Sequence, residues 1–248
     1  MMKRLWLLIP LAVCLPAAGF AGEAVSLVPR GVVELFTSQG CSSCPKADQA
    51  FSSLATDPSI VALSFHVDYW NYLGWKDTLS SEQNTRRQYE YAAAFGRSNV
   101  YTPQAVLNGR MHVKGGELAD ANAQLKTLSS ERQGLDVPVK VVRDDDCLDI
   151  DIGEGQGSAN VVIAYFSRER QVRIEKGENA GKTITYRNVV QSVETIGMWE
   201  GKAIRLTLPL DVMNRNGHEG AAILVQSEKG KGMLGPIRGA ALVPDIGT

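Results

Sequence analysis

The residues with the clearest chemistry are Cys41-Ser42-Ser43-Cys44. They directly follow the apolar run Val32-Val33-Glu34-Leu35-Phe36 and directly precede the helix-like stretch Pro45 to Leu54. A C-x-x-C at a strand-to-helix junction can cycle between dithiol and disulfide. Its first sulfur lies at the helix N-terminus, where unpaired N–H groups and the macrodipole favour a thiolate. The thiolate is the species that attacks disulfides. Other candidate groups stand nearby in the chain. Glu34 interrupts its apolar strand seven residues before Cys41, and a buried carboxylate there could take a proton from Cys44. His66 and Asp68 alternate around Val67 and share one strand face, and His66 could shuttle protons or be structural. Tyr69, Trp70, Tyr72 and Trp75 make an aromatic-rich loop, suited to walling a site or simply to packing.

Elements that would position these groups follow from periodicity. From Gly31 to about Ser130 strands and helices alternate. Val32 to Phe36 reads as a buried strand, and Ile60 to Val67 as a second. A helix is expected from Ser81 to Phe95, with Ser80 and Gln83 as a capping box and Gly96 as its stop. Gln104 to Leu107 and Arg110 to Lys114 flank the turn signal Asn108-Gly109. Glu117 to Ser129 closes the unit as an amphipathic helix. The order is β-α-β-α-β-β-α. After Gly134 short alternating runs separated by Gly and Asp suggest an antiparallel, sandwich-like β-rich domain. These runs are Val137 to Val142, Leu148 to Ile152, Asn160 to Ser167, Lys182 to Tyr186, Ala203 to Pro209 and Ala221 to Gln226. The layout is thus a leader over 1–24, an α/β domain over 25–131 and a β-rich domain over 135–248.

Composition narrows the setting. The 248 residues carry 26 basic and 27 acidic side chains, a balance that favours neither nucleic acid nor an anionic membrane surface. Lys3-Arg4, the apolar run from Leu5 to Phe20 and the small residues up to Ala24 read as a secretory signal peptide. The run is short for a span of roughly 20 residues. An uncleaved anchor and lipidation at Cys14 are the alternatives. The expected location is periplasmic or secreted, where disulfides persist. Removing the leader leaves Cys41, Cys44 and Cys147, an odd count that fits one redox pair and one bystander. Cys147 reads as an inert core thiol. Asp144-Asp145-Asp146 lacks the spacing of a calcium loop and reads as a hairpin turn.

Several motifs together resemble a known group. The order β-α-β-α-β-β-α, with the C-x-x-C after the first strand and Thr102-Pro103 ahead of the third, resembles the thioredoxin fold. The stretches Glu34 to Pro45, Phe65 to Trp70, Gly74 to Asp77 and Val100 to Gln104 resemble an exported thioredoxin-like family known only as a domain of unknown function, over about residues 30 to 130. The resemblance implies a cis Pro103 facing the cysteines, an exposed nucleophile Cys41 and a more shielded resolving Cys44. It also implies Glu34 near the place of thioredoxin's buried acid, and a backbone at Thr102 that pairs with substrate, with Trp70 and Trp75 alongside. The implied activity is thiol–disulfide exchange on protein thiols or disulfides, with a redox-recycling partner and no bound cofactor. The alternative is a thioredoxin-like copper module using Cys41, Cys44 and His66, because soft thiolates suit Cu(I).

Overall fold

A computed structural model describes residues 24–143, 146–210, 218–230 and 232–244. The expected leader, apart from Ala24, lies outside the described residues, as do two of the three aspartates before Cys147. In chain order the strands are β1 Ala24–Val25, β2 Gly31–Thr37, β3 Ile60–His66, β4 Gln104–Leu107, β5 Met111–Lys114 and β6 Val139–Arg143. They continue with β7 Cys147–Ile152, β8 Ala159–Arg173, β9 Thr183–Trp199, β10 Ile204–Pro209, β11 Gly220–Glu228 and β12 Leu234–Leu242. The longer α-helices among the described residues are α1 Cys44–Ala55, α2 Glu82–Ala94 and α3 Ala121–Ser130.

An eight-stranded mixed sheet runs β12-β11-β8-β9-β3-β2-β4-β5, and a four-stranded antiparallel sheet runs β1-β6-β7-β10. At the centre of the large sheet, β2 and β3 pair in parallel and every residue of both is buried. Strands covered on both faces read as near-continuous apolar runs, which is what both sequences show. Side chains alternate between the faces. Val33 and Leu35 of β2 with Ile60 and Ala62 of β3 pack under α1 and α3, with Phe51, Leu54 and Leu125. Val32, Phe36, Val61, Leu63 and Phe65 pack on the other face with Tyr91 of α2.

Local signals place the helices. Pro45 sits in the first turn of α1, where a missing N–H costs nothing. The cap of α2 is Ser81, whose hydroxyl accepts from Asn84 N at 3.1 Å, one residue later than the expected capping box. A 3-10 stretch, Gly115–Asp120, replaces the first turn expected of α3. The β4–β5 hairpin turns at Asn108 and Gly109, both at positive φ (49° and 63°). A side chain at Gly109 would also put a Cβ 2.6 Å from the carbonyl oxygen of Gly235.

The two expected domains meet in a shared sheet. β9 of the second half pairs in parallel with β3, Val189 opposite Ser64. The core on the α2 face mixes Val32, Phe36 and Leu63 with Val162, Ala164, Ala222 and Leu224. The smaller sheet packs Val141, Leu148 and Ile150 against Val161, Ile163 and Ile223, with Trp199 fully buried. This second core has the antiparallel character expected of the C-terminal half. The large sheet, however, does not stop at 131–135.

Candidate functional site

Cys41 and Cys44 are joined in a disulfide, with their Cα atoms 5.4 Å apart. Cys44 is the first residue of α1 and Cys41 ends the turn before it, its N–H donating to the carbonyl of Ser38 at 3.2 Å. Both cysteines are buried, Cys41 at 2% exposure. The sequence led to an exposed Cys41, and the difference comes from the second half of the chain. The connection between β8 and β9 reaches across the site, and the buried amide of Asn179 donates to the carbonyls of Gln39 (2.9 Å) and Cys41 (2.8 Å). Lys182 in turn donates to Asn179 Oδ1 at 2.8 Å.

Thr102–Pro103 is a cis peptide. Pro103 packs beside α1: a Cβ at Gly115 would lie 2.5 Å from Pro103 Cγ and 2.7 Å from Ala47 Cβ, so only glycine fits between them. Trp70 is half-buried and its indole N–H donates to Thr102 Oγ1 at 2.7 Å. Trp75 donates to Gln39 Oε1 at 2.8 Å. The aromatic loop thus holds both Thr102 and the turn before Cys41, while Tyr72 stays exposed.

Glu34 lies elsewhere. It shares the face of Val32 and Phe36, opposite α1, where Arg87 Nε donates to it at 2.8 Å and Tyr91 OH also donates to it. Burial, and then Glu34 beside it, hold the Tyr91 phenol well above its ordinary range. Gln226 of β11 completes this network, accepting from Arg87 and donating to Tyr91, both at 2.8 Å. Glu34 is an ion-pair partner in the α2-side core and is not brought to the cysteines.

A different carboxylate occupies the α1 face. Asp48 follows Cys44 by one helical turn, which puts the two on one side of α1. It is buried, and Thr37 Oγ1 donates to its Oδ1 at 2.7 Å. Burial pushes Asp48 up to about 7, against the opposing pull of His66 and Thr37. His66 is fully buried on the same face, its Nδ1 2.8 Å from Asp77 Oδ2. Asp77 also accepts from the backbone N–H groups of Gln39 and Leu79, each at 2.8 Å. Burial alone would raise the Asp77 pKa, but His66 and these donors hold it below its ordinary value. The Tyr186 ring of β9 meets His66 edge-on at 4.6 Å.

Asp68 is not brought to His66. It binds Thr85 of α2, accepting from the hydroxyl at 2.6 Å. The ligand set Cys41, Cys44 and His66 is not assembled either. The sulfurs are bonded to each other, His66 Nδ1 is committed to Asp77, and the described residues hold no group of three His, Cys, Asp or Glu placed for a metal ion. Cys147 is buried. Asp48, Asp77, Tyr186 and Asn179 are the site residues that sequence reasoning passed over. The i+4 spacing from Cys44 pointed to Asp48, and Asp77 stood inside a motif that carried the resemblance. Nothing local marks Asn179.

Residues 32–226 match the family described as "Protein of unknown function (DUF1223)". The chain belongs to this family. The crystal structure of protein AGR_C_4864 from Agrobacterium tumefaciens is similar over 88% of this chain and 95% of that one, with 46% identity and a TM-score of 0.80. HBP35 of Porphyromonas gingivalis is similar in fold alone, at 11% identity and a TM-score of 0.59, over 87% of this chain and 74% of that one. No curated protein matches. The DUF1223 match contains Cys41, Cys44, Asp48, His66, Asp77 and Asn179, while β12 lies beyond it.

Proposed function

We propose that this protein is an exported thiol–disulfide oxidoreductase and that residues 31–130 form a thioredoxin-like unit. The observation that carries the reading is the Cys41–Cys44 disulfide at the start of α1 with Asp48 buried one turn further on. The cis Thr102–Pro103 bond beside α1 supports it. Reduced Cys41, as thiolate, attacks a substrate disulfide and forms a mixed disulfide. Asp48 takes the proton of Cys44, and the Cys44 thiolate attacks Cys41 Sγ. That closes the internal disulfide and releases the second substrate sulfur as a thiolate. Two electrons pass to the substrate, and the reverse sequence oxidises it. Asp48 thereby takes the role that the sequence suggested for Glu34. A carboxyl whose proton leaves near neutrality is matched to this transfer. The substrates are protein thiols or disulfides, and a separate redox protein resets the pair. The leader over 1–24 places the chain in the periplasm or outside the cell in this reading.

Trapping tests it. Cys44→Ser, incubated with an unfolded disulfide-containing protein, should accumulate a mixed disulfide through Cys41, and Cys41→Ser should not. Wild-type exchange no faster than that of the double serine variant would sink the proposal. Equilibration with glutathione then assigns direction: a potential near about −270 mV marks a reductant and one near about −120 mV an oxidant.

A further inference from the structure

A second layer of polar groups lies behind Cys44. In the parallel β2–β3 ladder Thr37 stands opposite His66, and both side chains point at α1. The Thr37 hydroxyl seats the Asp48 carboxyl over this end of the ladder, beside His66. Three fully buried polar atoms around this face have no hydrogen-bond partner in the protein, one another included: Asp48 Oδ2, His66 Nε2 and Tyr186 OH. Orphaned buried polar atoms cost about 1–3 kcal/mol each, so three in one layer call for a functional account. The Asp77 carboxylate can only accept, so His66 Nδ1 carries a proton and Nε2 is the ring atom at which a further proton is taken or given.

We propose that His66 and Asp77 form a buried proton relay that receives the Cys44 proton through Asp48. The proposal rests on the redox reading above and adds a part to it. In the resolving step Cys44 Sγ–H gives its proton to Asp48 Oδ2. The thiolate bonds to Cys41 Sγ, and the bond from Cys41 to the substrate sulfur breaks, its electron pair leaving with the substrate thiolate. The Asp48 proton then passes to His66 Nε2, which a rotation of the Asp48 carboxyl must first bring within hydrogen-bond reach, since the two atoms do not bond in the oxidised protein. The resulting imidazolium is balanced by Asp77 and keeps the proton until water reaches the site. In the reverse direction the same proton returns to Cys44.

The groups facing Asp48 are Cys44 on its own helix, Thr37 of β2, His66 of β3, Asp77 of the connection after β3 and Tyr186 of β9. Asp77 is a second carboxylate in a dry layer and disfavours a charge on Asp48. A base that must be ionised to act in such a place needs a neighbour that can take its proton. His66 is that neighbour, and it acts on Cys44 only through Asp48, as a positioning residue.

Single-turnover exchange of the reduced protein with a peptide disulfide, followed from pH 5 to 9, tests the relay. In His66→Gln and Asp77→Asn the resolving step should slow at least tenfold at pH 7, and its inflection should move. The rate of Cys41 alkylation by iodoacetamide should stay within about twofold. Equal slowing of both cysteines, or an unmoved inflection, would make the pair merely structural and overturn the relay. Nitrogen NMR of histidine-labelled wild type avoids any folding defect of the variants. The His66 Nε2 signal should titrate differently in the oxidised and reduced proteins, and the difference should vanish in Asp48→Asn. Identical titration in all three overturns the relay while exchange itself persists. Absence of wild-type exchange would instead take down the redox reading, and the relay with it.

Discussion

Glu34 and Asp48 are both buried carboxylates, and their surroundings give them opposite roles. Glu34 meets Arg87 and Tyr91, which Gln226 holds in turn, so its charge is matched. Asp48 meets one hydroxyl and keeps an unpartnered oxygen. The consequence for stability has a definite sign. An unfolded Asp48 releases its proton near 3.8 and the folded one near about 7. Between these values the folded chain binds the extra proton, so stability falls as pH rises through that window. The penalty is complete above it, at up to roughly 4 kcal/mol, taking about 1.4 kcal/mol for each pH unit. Asp48→Asn keeps an acceptor for Thr37 and removes the charge. It should therefore stabilise the oxidised protein at pH 8 by on the order of 1–4 kcal/mol, with the gain fading toward pH 4. Denaturant titrations at pH 4, 6 and 8 measure it. Equal stability of variant and wild type at pH 8 would mean that Asp48 ionises in the ordinary carboxylate range, and its place as the base would fall. The sequence made Glu34 and Asp48 equally visible as acids. What it did not carry was facing: a strand residue reverses face with a shift of one position, whereas the i+4 relation of Asp48 to Cys44 is fixed by the helix.

At the scale of elements, the connection between β8 and β9 decides access. Its backbone is tied internally, Ile174 N to Lys182 O at 2.9 Å and Gly181 N to Ile174 O at 2.8 Å. Asn179 is the buried residue it sets against the Cys41 turn. Asn179→Ala removes both bonds to the site. In the reduced variant, timed alkylation of Cys41 should run several-fold faster than in wild type, with Cys41 still labelled before Cys44. An unchanged rate would show that Cys41 is covered by something other than this connection. Most of the elements up to α3 were legible because each carries its own signal: a Pro at a helix start, a Ser cap, Asn108-Gly109 at a turn. The long hairpin was not. Lys182 to Tyr186 is a short run in sequence, yet β9 extends to Trp199 because Ser192, Glu194 and Thr195 lie on pairings along β8 that hydrophobicity does not report. β12 was missed because Gly235, Pro236 and Gly239 break its pattern. It is tolerated as the terminal strand of the sheet, where a missing N–H faces no ladder partner.

At the scale of the molecule, the two halves share more than a border. β9 is hydrogen-bonded to β3, Ser64 OH donates to the carbonyl of Arg187 at 2.9 Å, and Asn188 donates to the carbonyl of Ala62 at 2.9 Å. Gln226 of β11 enters the ion pair of Glu34 and Arg87. The composition change near Gly134 was real as a change from mixed to antiparallel pairing. It could not reveal that a strand some 50 residues later would join the first sheet, because such pairing is set by fit of whole faces and not by local sequence. A core shared in this way should melt as one unit. The helices α1, α2 and α3, the longest among the described residues, lie before residue 131, so far-ultraviolet circular dichroism weights the first half. Trp199 is fully buried in the core of the second half and, with Trp6→Phe, Trp70→Phe and Trp75→Phe in place, its fluorescence reports that core. Guanidinium unfolding followed by both probes should give coincident midpoints. Midpoints that separate, with the helices and Trp199 lost at different denaturant concentrations, would show two units that fold on their own. In that case the reach of the β8–β9 connection over Cys41 would be a contact between domains and not a feature of one core.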